Sequence, residues 1–401
     1  MKKSAFFDFF NRSTSKDFEQ LISKGRENQD YINWNEFALP MRYTNSEREY
    51  LAIRESCGLF DVSPIRKIRI TGTAAGKLLD YVLTRPVSAS KSMVGIYVAL
   101  CNVDGSLKDD SILYKFDDED YLLMPSDIDH CAHLRACGKL LALEADEIVI
   151  TDCTDHWHGL AIQGPLSALT VNTLFNEDFT HLKPFEMVNH VTSGSVIKIA
   201  RLGFTADLGY EVWFDPKFTP TMQDLVDSAR DTLNLEIPGY GLTALEACRL
   251  EGAFIVAGWD FSTEADPDPD FARSPYEVGL GWLVDLKKED FVGRIALLED
   301  QESTRQFVLR QFESDEHVEI EDGCPIFGFE EGDSRQIGTI NCSAWSWALR
   351  KTIGNISLIK KYSECKSAWI MTDGKNHSVL IRQGPFLNLE RRYLVPAPLS
   401  N

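Results

Sequence analysis

Two adjacent carboxylates, Asp109 and Asp110, follow a predicted turn in the segment NVDGSLKDDSILY, residues 102–114. They enter a predicted strand, in which neighbouring side chains point to opposite faces. One of the two is therefore expected to face inward, where a carboxylate can stabilise the charge of an amine or accept its proton. The alternative is that both aspartates only cap the turn. Spacing alone leaves both interpretations open.

A third candidate carboxylate, Glu211, lies in the segment GFTADLGYEVWF, residues 203–214. A turn joins two predicted strands here, and Glu211 shares one face of the second strand with Trp213. On an inward face, the carboxylate would accept hydrogen bonds from amino and ring N–H groups of a ligand. The alternative is a surface glutamate beside a half-buried tryptophan.

Aromatic residues could form a wall for a cationic substrate. Trp213 and Phe204, with Tyr43 as a weaker member, are the candidates. Aromatic faces attract onium cations by roughly 0.5–2 kcal/mol each. The alternative is that all three serve only as core packing.

Arg249 lies in the segment ALEACRLEGAFIVAGWD, residues 244–260, on a predicted helix with an apolar opposite face. Glu246 stands three residues before it, so the two could form an ion pair on the helix surface. That pairing is the simpler interpretation of the local sequence.

Motifs of several common enzyme classes do not occur: GxSxG, the Walker loop, the Rossmann glycine fingerprint and HExxH. The nine cysteines are scattered and never spaced as CxxC, which indicates reduced thiols. Two histidine-containing groups lack the paired spacing of a zinc site, so no metal site is predicted. These groups are His130-Cys131-x-His133-x-x-x-Cys137 and His156-Trp157-His158.

The composition of the 401 residues, with 44% hydrophobic and 25% charged residues, is that of a globular protein. A net charge of −20 argues against partners such as nucleic acid and anionic membranes. No apolar stretch of about 18 residues is present, and the phenylalanine-rich start has no small-residue cleavage site. We therefore predict a cytoplasmic protein without a membrane span or signal peptide.

The chemistry-bearing segments must be positioned by mixed elements. Strands at 67–71, 97–101, 111–116 and 121–124 predict an antiparallel meander, with a helix at 74–81. Strands at 196–205 and 210–214 precede a helix that starts at Thr219 and a second that starts at Thr243, where Glu246 completes a capping box. The acidic loop at 262–270 is expected to be solvated.

Short strands dominate the end of the chain, at 307–312, 336–340, 356–360, 367–372 and 378–382. The fold class is therefore predicted as α+β with an all-β C-terminal barrel domain. The predicted organisation is an N-terminal extension at 1–35 that packs late or partly frays, a catalytic region of two intertwined α+β domains at 36–298, and the barrel at 299–401.

Several segments, taken in order from about residue 40 to 392, together resemble the glycine-cleavage T-protein family of folate-dependent transferases. They are GLFDVS (58–63), KSMVGIYVAL (91–100), NVDGSLKDDSILY (102–114), LAIQGP (160–165), GFTADLGYE (203–211), EACRLEGAFIVAGWD (246–260), SPYEVGLGWLVDLKKEDFVGRIAL (274–297), GTINCSAWSWALRKTIG (338–354) and GPFLNLERR (384–392). One such motif would be weak evidence, but this many in the right order is a specific signal.

The resemblance implies a three-domain disc around a central site for tetrahydrofolate, which accepts a one-carbon group. It assigns Asp109 to a position near the reacting pterin nitrogen and Glu211 to the pterin edge. Tyr97 and the backbone near Leu100 would line the folate pocket. The glutamate tail of the folate would meet Arg391 or Arg392, and Arg249 belongs to the same folate-binding set. Asp109, Tyr97 and Asp110 are the catalytic candidates.

Two variant segments, GFTADLGYEVWF (203–214) and SPYEVGLGWLVDL (274–286), resemble the branch of the family that demethylates small methylated compounds. Leu245 and Glu246 stand where the family usually has an Arg-Asp pair, and GYTGE becomes GFTAD. Methyl transfer from a small methylated substrate to tetrahydrofolate is therefore the first interpretation. Aminomethyl transfer of the glycine-cleavage type is the alternative, with a non-catalytic folate-binding role in iron–sulfur assembly as a third. The sequence leaves the donor and the oligomeric state open.

Overall fold

The computed structural model describes residues 1–12, 18–27, 29–300, 305–330 and 333–394. The helices are α1 (Phe7–Phe10), α2 (Phe18–Lys24), α3 (Ser46–Glu55), α4 (Ala75–Val82), α5 (Cys131–Leu140), α6 (Ser167–Phe175), α7 (Thr219–Leu233), α8 (Leu242–Glu251) and α9 (Arg294–Glu299). The strands before the C-terminal domain are β1 (Tyr31–Trp34), β2 (Phe37–Pro40), β3 (Gly58–Asp61), β4 (Ile68–Thr71), β5 (Gly95–Cys101), β6 (Leu107–Asp117), β7 (Asp120–Pro125), β8 (Val149–Asp152), β9 (His158–Gln163), β10 (Met187–Thr192), β11 (Ser195–Ala200) and β12 (Gly209–Phe214). The later strands are β13 (Phe307–Ser314), β14 (Pro325–Glu330), β15 (Asp333–Ser346), β16 (Lys351–Ile359), β17 (Ser367–Thr372) and β18 (Lys375–Arg382).

Two five-stranded antiparallel sheets carry the candidate residues. One has the order β5-β6-β7-β4-β8, so the predicted meander is confirmed. The other has the order β10-β11-β12-β9-β3. Inner side chains of both sheets meet in one hydrophobic cluster, which includes Tyr114 of β6 and Trp213 of β12. The segments around Asp109–Asp110 and Glu211 therefore approach a common centre.

Of the two helices near this centre, α7 begins as predicted and α8 does not. Helix α7 begins at Thr219 with a proline in its first turn, as predicted, and ends at Asn234 in the left-handed conformation. Helix α8 begins after Gly241, whose position has no side-chain cap, so the predicted capping box at Thr243 is wrong. Glu246 binds Arg249 instead, because a charged partner on the next turn offers a stronger contact than a backbone amide.

Six strands close the C-terminal barrel in the order β13-β16-β15-β14-β17-β18. The prediction of an α+β fold with an all-β C-terminal barrel is confirmed. The sequence analysis missed β14, whose Pro325 and Gly328 are weak strand formers. Strand β15 packs against α8, which joins the barrel to the centre.

The start of the chain packs into the fold rather than fraying. Phe6, Phe9 and Phe10 are buried in the core beneath the second sheet. The backbone amide of Phe6 donates a hydrogen bond of 2.7 Å to Asp61 in β3. The phenylalanines of this segment are therefore part of the core, which its charged residues did not indicate.

Within the described ranges, none of the helices has both the length and the apolar character that crossing a membrane requires.

Candidate active site

Asp110 and Tyr97 form a polar pair on neighbouring strands at the centre of the molecule. The Tyr97 hydroxyl donates a hydrogen bond of 2.7 Å to the Asp110 carboxylate, and both residues are half-buried. The Tyr97 ring also contacts Trp282, whose side chain is 66% exposed, with ring centroids 5.9 Å apart. A carboxylate, a phenol and an exposed indole therefore share one accessible face.

Asp109 lies on the opposite face of β6, as strand alternation requires. It is 1% exposed, and one carboxylate oxygen lies 2.6 Å from Nε2 of the buried His130. Its other oxygen accepts the backbone N–H of Asp110 at 2.9 Å. The structure thus places Asp110 at the centre-facing position that the sequence analysis and the resemblance had given first to Asp109.

Burial gives Asp110 an ionisation suited to proton transfer. Burial, followed by repulsion from Asp109, raises the pKa of the Asp110 carboxyl to about 7. Burial and the adjacent Asp110 carboxylate raise the pKa of Tyr97 well above its ordinary value. Near neutral pH, Asp110 can therefore take up or release a proton while Tyr97 keeps its own.

Glu211 is a second centre-facing carboxylate, 6% exposed, on β12. Burial raises its pKa to about 7, and the Lys67 ammonium partly opposes this shift. The Trp213 indole N–H approaches the carboxylate without reaching hydrogen-bond geometry. The buried hydroxyl of Tyr114 also has no hydrogen-bond partner among the described residues. A ligand with several N–H groups and an acceptor would satisfy this cluster.

The predicted aromatic wall does not form. Trp213 packs so closely against Gly159 that a Cβ there would lie 2.3 Å from the ring, and the Lys67 ammonium lies 5.1 Å from the ring centroid. Tyr43 belongs to another cluster and contacts Phe10. Phe204 is 40% exposed and packs against Phe254, 5.3 Å between centroids. Trp213 and Tyr43 belong to different hydrophobic clusters, and the exposed Phe204 packs with Phe254, so the three rings do not share one surface.

Arg249 is fully buried, so the interpretation as a surface ion pair is wrong. Its guanidinium pairs with Glu246 at 2.7 Å and Asp260 at 3.4 Å. Asp260 in turn accepts hydrogen bonds from two barrel side chains, Asn341 and Asn355, each at 3.0 Å. These contacts give Arg249 a role in joining α8 to the barrel behind the centre.

The two terminal arginines have different surroundings. Arg391 binds Asp207 through two nitrogens, at 2.5 and 2.7 Å, and Asp207 also pairs with the buried Arg54. Arg392 lies 4.6 Å from the centroid of the Phe254 ring and donates to the Tyr393 hydroxyl. Among the contacts described, Arg391 has a carboxylate partner and Arg392 does not. Arg392 is therefore the better candidate to bind the anionic glutamate tail that the resemblance implies.

Leu100 is enclosed by secondary structure. Its side chain is fully buried. Its backbone pairs with that of Asp109 in the neighbouring strand on one side and forms an isolated β-bridge with Leu83 on the other. This leaves little free backbone for a ligand at Leu100 itself.

The acidic loop is exposed from residue 264 to residue 270, as expected, and one of its carboxylates also anchors it. The carboxylate of Glu264 forms an ion pair with Lys108, which is 4% exposed and precedes Asp109. In the described part of the chain, no three His, Cys, Asp or Glu side chains converge on a possible metal position.

A surface groove of about 390 Å³ lies on the barrel, between Glu313, Lys351 and Trp369. It contains none of the residues selected from the sequence, whereas the two carboxyls with pKa values raised to about 7, Asp110 and Glu211, lie elsewhere, on β6 and β12.

Two residues of the centre were missed by the sequence analysis. His130 was considered only as part of a possible metal group, although it follows the meander that carries Asp109. Trp282 lies within a segment that was used for the family resemblance, but no periodicity marks it as exposed.

Comparison with known proteins identifies relatives across most of the chain. The GCVT N-terminal domain family model matches residues 24–288. An aminomethyltransferase from Oceanobacillus iheyensis is 29% identical over 352 residues, covering 86% of this chain and 90% of the relative. One from Thermoanaerobacter pseudethanolicus is 26% identical over 389 residues, covering 96% and 95%.

A solved structure has the same fold over nearly its whole length. The glycine cleavage system aminomethyltransferase T from Bartonella henselae superposes with a TM-score of 0.80 at 19% identity, covering 98% of this chain and 99% of that one. At this identity, the similarity establishes the fold, with the T-protein-like arrangement that the sequence predicted.

Proposed function

Because the chain belongs to the glycine-cleavage T-protein family, whose members are tetrahydrofolate-dependent one-carbon transferases, we propose that it is an aminomethyltransferase of the glycine-cleavage type. The observation that carries this proposal is the agreement among relatives. Those that cover 86–96% of the chain are aminomethyltransferases. The comparisons thus favour the alternative over the methyl transfer that the sequence analysis placed first, because the relatives described above are aminomethyltransferases.

The proposed reaction moves one carbon from an aminomethyl group on a thiol carrier, such as a lipoyl arm, to tetrahydrofolate. The carbon–sulfur and carbon–nitrogen bonds break, and two bonds to folate nitrogens form. The two protons lost from those nitrogens leave with ammonia and with the carrier thiol. The products are methylene-tetrahydrofolate, ammonia and the free thiol.

The residues at the centre fit such a folate. The Glu211 carboxylate supports binding of the amino and ring N–H groups of the pterin, since the nearby Trp213 indole N–H does not reach hydrogen-bond geometry. Arg392, stacked on Phe254, is suited to the anionic tail. These assignments follow from burial and charge on the described residues.

We assign proton transfer to Asp110, with Tyr97 as its hydrogen-bond partner. A carboxyl with a pKa of about 7 can accept a proton from a folate nitrogen and return one to the departing amine. The remaining contribution is the alignment of donor carbon and acceptor nitrogen, which can remove several kcal/mol of a barrier.

The test is incubation with tetrahydrofolate and a set of donors, with the folate product identified by mass. The donors are an aminomethyl-lipoyl carrier, dimethylglycine, a betaine, a sulfonium acid and a methoxy-aromatic compound. We expect methylene-tetrahydrofolate and ammonia from the lipoyl carrier. Methyl-tetrahydrofolate from a methylated donor would replace this proposal with methyl transfer, and tight folate binding without any product would indicate a non-catalytic role.

A further inference from the structure

We propose that His130 is a positioning residue of the centre: it keeps the Asp109 carboxylate ionised on the far face of β6, and this buried charge makes Asp110 the carboxyl that holds a proton on the substrate face. The inference rests on the proposed role of Asp110, which it deepens. His130 itself touches no group on the substrate face.

The geometry connects the two faces of the strand through three hydrogen bonds. His130 Nε2 lies 2.6 Å from Asp109 Oδ2, and Asp109 Oδ1 accepts the Asp110 amide at 2.9 Å. The Tyr97 hydroxyl donates to Asp110 at 2.7 Å. Since an ionised carboxylate only accepts hydrogen bonds, Nε2 carries the proton of the His130–Asp109 bond.

His130 is suited to this single contact. The residue is fully buried before the first turn of α5, and its Nδ1 has no hydrogen-bond partner among the described residues. The Asp109 carboxylate is therefore the one polar group that this ring is seen to bind. A buried imidazole with an orphan nitrogen has an energetic cost, which is easiest to explain if the Asp109 contact serves the site.

Asp109 is the largest charged influence on Asp110. Burial raises the pKa of Asp109, while the hydrogen bond and charge of His130 oppose that rise. Without His130, the isolated buried carboxylate would take up a proton, since burial disfavours the charged form. Asp110 would then lose its repelling neighbour, and its pKa would fall.

Other charged groups around the pair are held by partners of their own. Asp260 faces Asp110 and is paired with Arg249. Lys108 lies beside Asp109 and is paired with Glu264.

On the outer side, Asp127 and His133 also lie within electrostatic range of the His130–Asp109 pair. Both stay in place in every variant proposed below, so they do not distinguish one variant from another.

Four variants separate this role from a purely structural one. In His130→Ala and Asp109→Asn, we expect the titration midpoint of Asp110 to fall by about one pH unit. In His130→Gln, the amide can replace the Nε2 donor, and the midpoint should stay near that of the parent protein. In the double variant that combines His130→Ala with Asp109→Asn, the midpoint should equal that of Asp109→Asn alone, because the effect of His130 passes through Asp109.

The midpoint is measured on the free protein, by infrared or carbon-13 carboxyl titration with Asp110→Asn as the assignment control. This readout needs no substrate, so it can succeed even if the proposed transfer reaction fails. Turnover against pH is measured in parallel, and its acidic limb should move with the carboxyl midpoint. An unchanged midpoint in His130→Ala would overturn the proposal. So would a shift caused by His130→Ala that is as large in the presence of Asp109→Asn as in the parent protein. If His130→Ala does not fold, the midpoints of His130→Gln and Asp109→Asn decide, and a fall in both or in neither would contradict it.

Discussion

Replacing Glu211 with glutamine should make the protein more stable and bind folate less well. Burial raises the pKa of this carboxyl from 4.5 to about 7, so the folded protein disfavours the ionised form. A carboxyl with a raised folded-state pKa reduces stability as the pH rises from 4.5 to about 7, and the full cost remains above that range. At 1.36 kcal/mol per pH unit, the cost is about 3 kcal/mol.

Glutamine has nearly the same shape and no charge to bury, so Glu211→Gln should remove most of this cost at pH 8. Little of it should appear at pH 4.5, where the folded carboxyl is almost fully protonated and the unfolded one is still half protonated. One kcal/mol shifts the melting temperature by roughly 2–4 °C in domains of 150–250 residues, so an increase of several degrees is expected. Thermal unfolding of both proteins at the two pH values measures it.

Folate binding should change in the opposite direction. A charge-assisted hydrogen bond to the ligand is lost, which costs about 2–5 kcal/mol when the other partner stays buried. In the parent protein, tetrahydrofolate affinity should fall below pH 7 as Glu211 takes up a proton, and this dependence should vanish in the variant. Calorimetric titration across pH tests both statements. Unchanged affinity together with unchanged stability at pH 8 would refute the reasoning, since Glu211 would then be neither strained nor in the site.

The remaining predictions concern catalysis and the buried charges. Asp110→Asn should reduce turnover by at least 100-fold, and Asp109→Asn should reduce it less, because Asp110 faces the substrate side and Asp109 does not. Steady-state kinetics that show the reverse order would restore Asp109 as the catalytic group. Arg391→Met should lower the unfolding free energy by about 1–3 kcal/mol, because the buried Asp207 carboxylate loses the hydrogen bonds that Arg391 donates. Arg392→Met should weaken folate binding and leave denaturant unfolding nearly unchanged. Glu251→Gln should destabilise the protein by about 1–3 kcal/mol, since it removes the charge that faces the buried Arg54 guanidinium at 2.6 Å and leaves Arg54 with Asp207 as a carboxylate partner. An unfolding midpoint equal to that of the parent would contradict this.

Local sequence determined much of the fold. The strands predicted at 111–116 and 121–124 lie within β6 and β7, because the acidic turn at 117–120 marks where the chain reverses. Strand 367–372 was predicted with the bounds it has, and helix α7 with its observed start. These features depend on neighbours within a few residues, which the sequence contains directly.

The ordered motifs also indicated the family, because a series of matching segments constrains the whole chain at once. Those motifs led to methyl transfer as the first interpretation of the group transferred, whereas the relatives favour its alternative, aminomethyl transfer.

Only the tertiary structure decided which carboxylate faces the centre. Strand β6 is buried on both faces, so its sequence lacks the polar–apolar alternation that would show which side is inward. Asp109 and Asp110 are equivalent in the sequence and differ because α5 brings His130 to one face while β5 brings Tyr97 to the other. Those contacts join residues 13 to 21 positions apart, and their geometry follows from how sheet and helix pack, which local spacing does not specify.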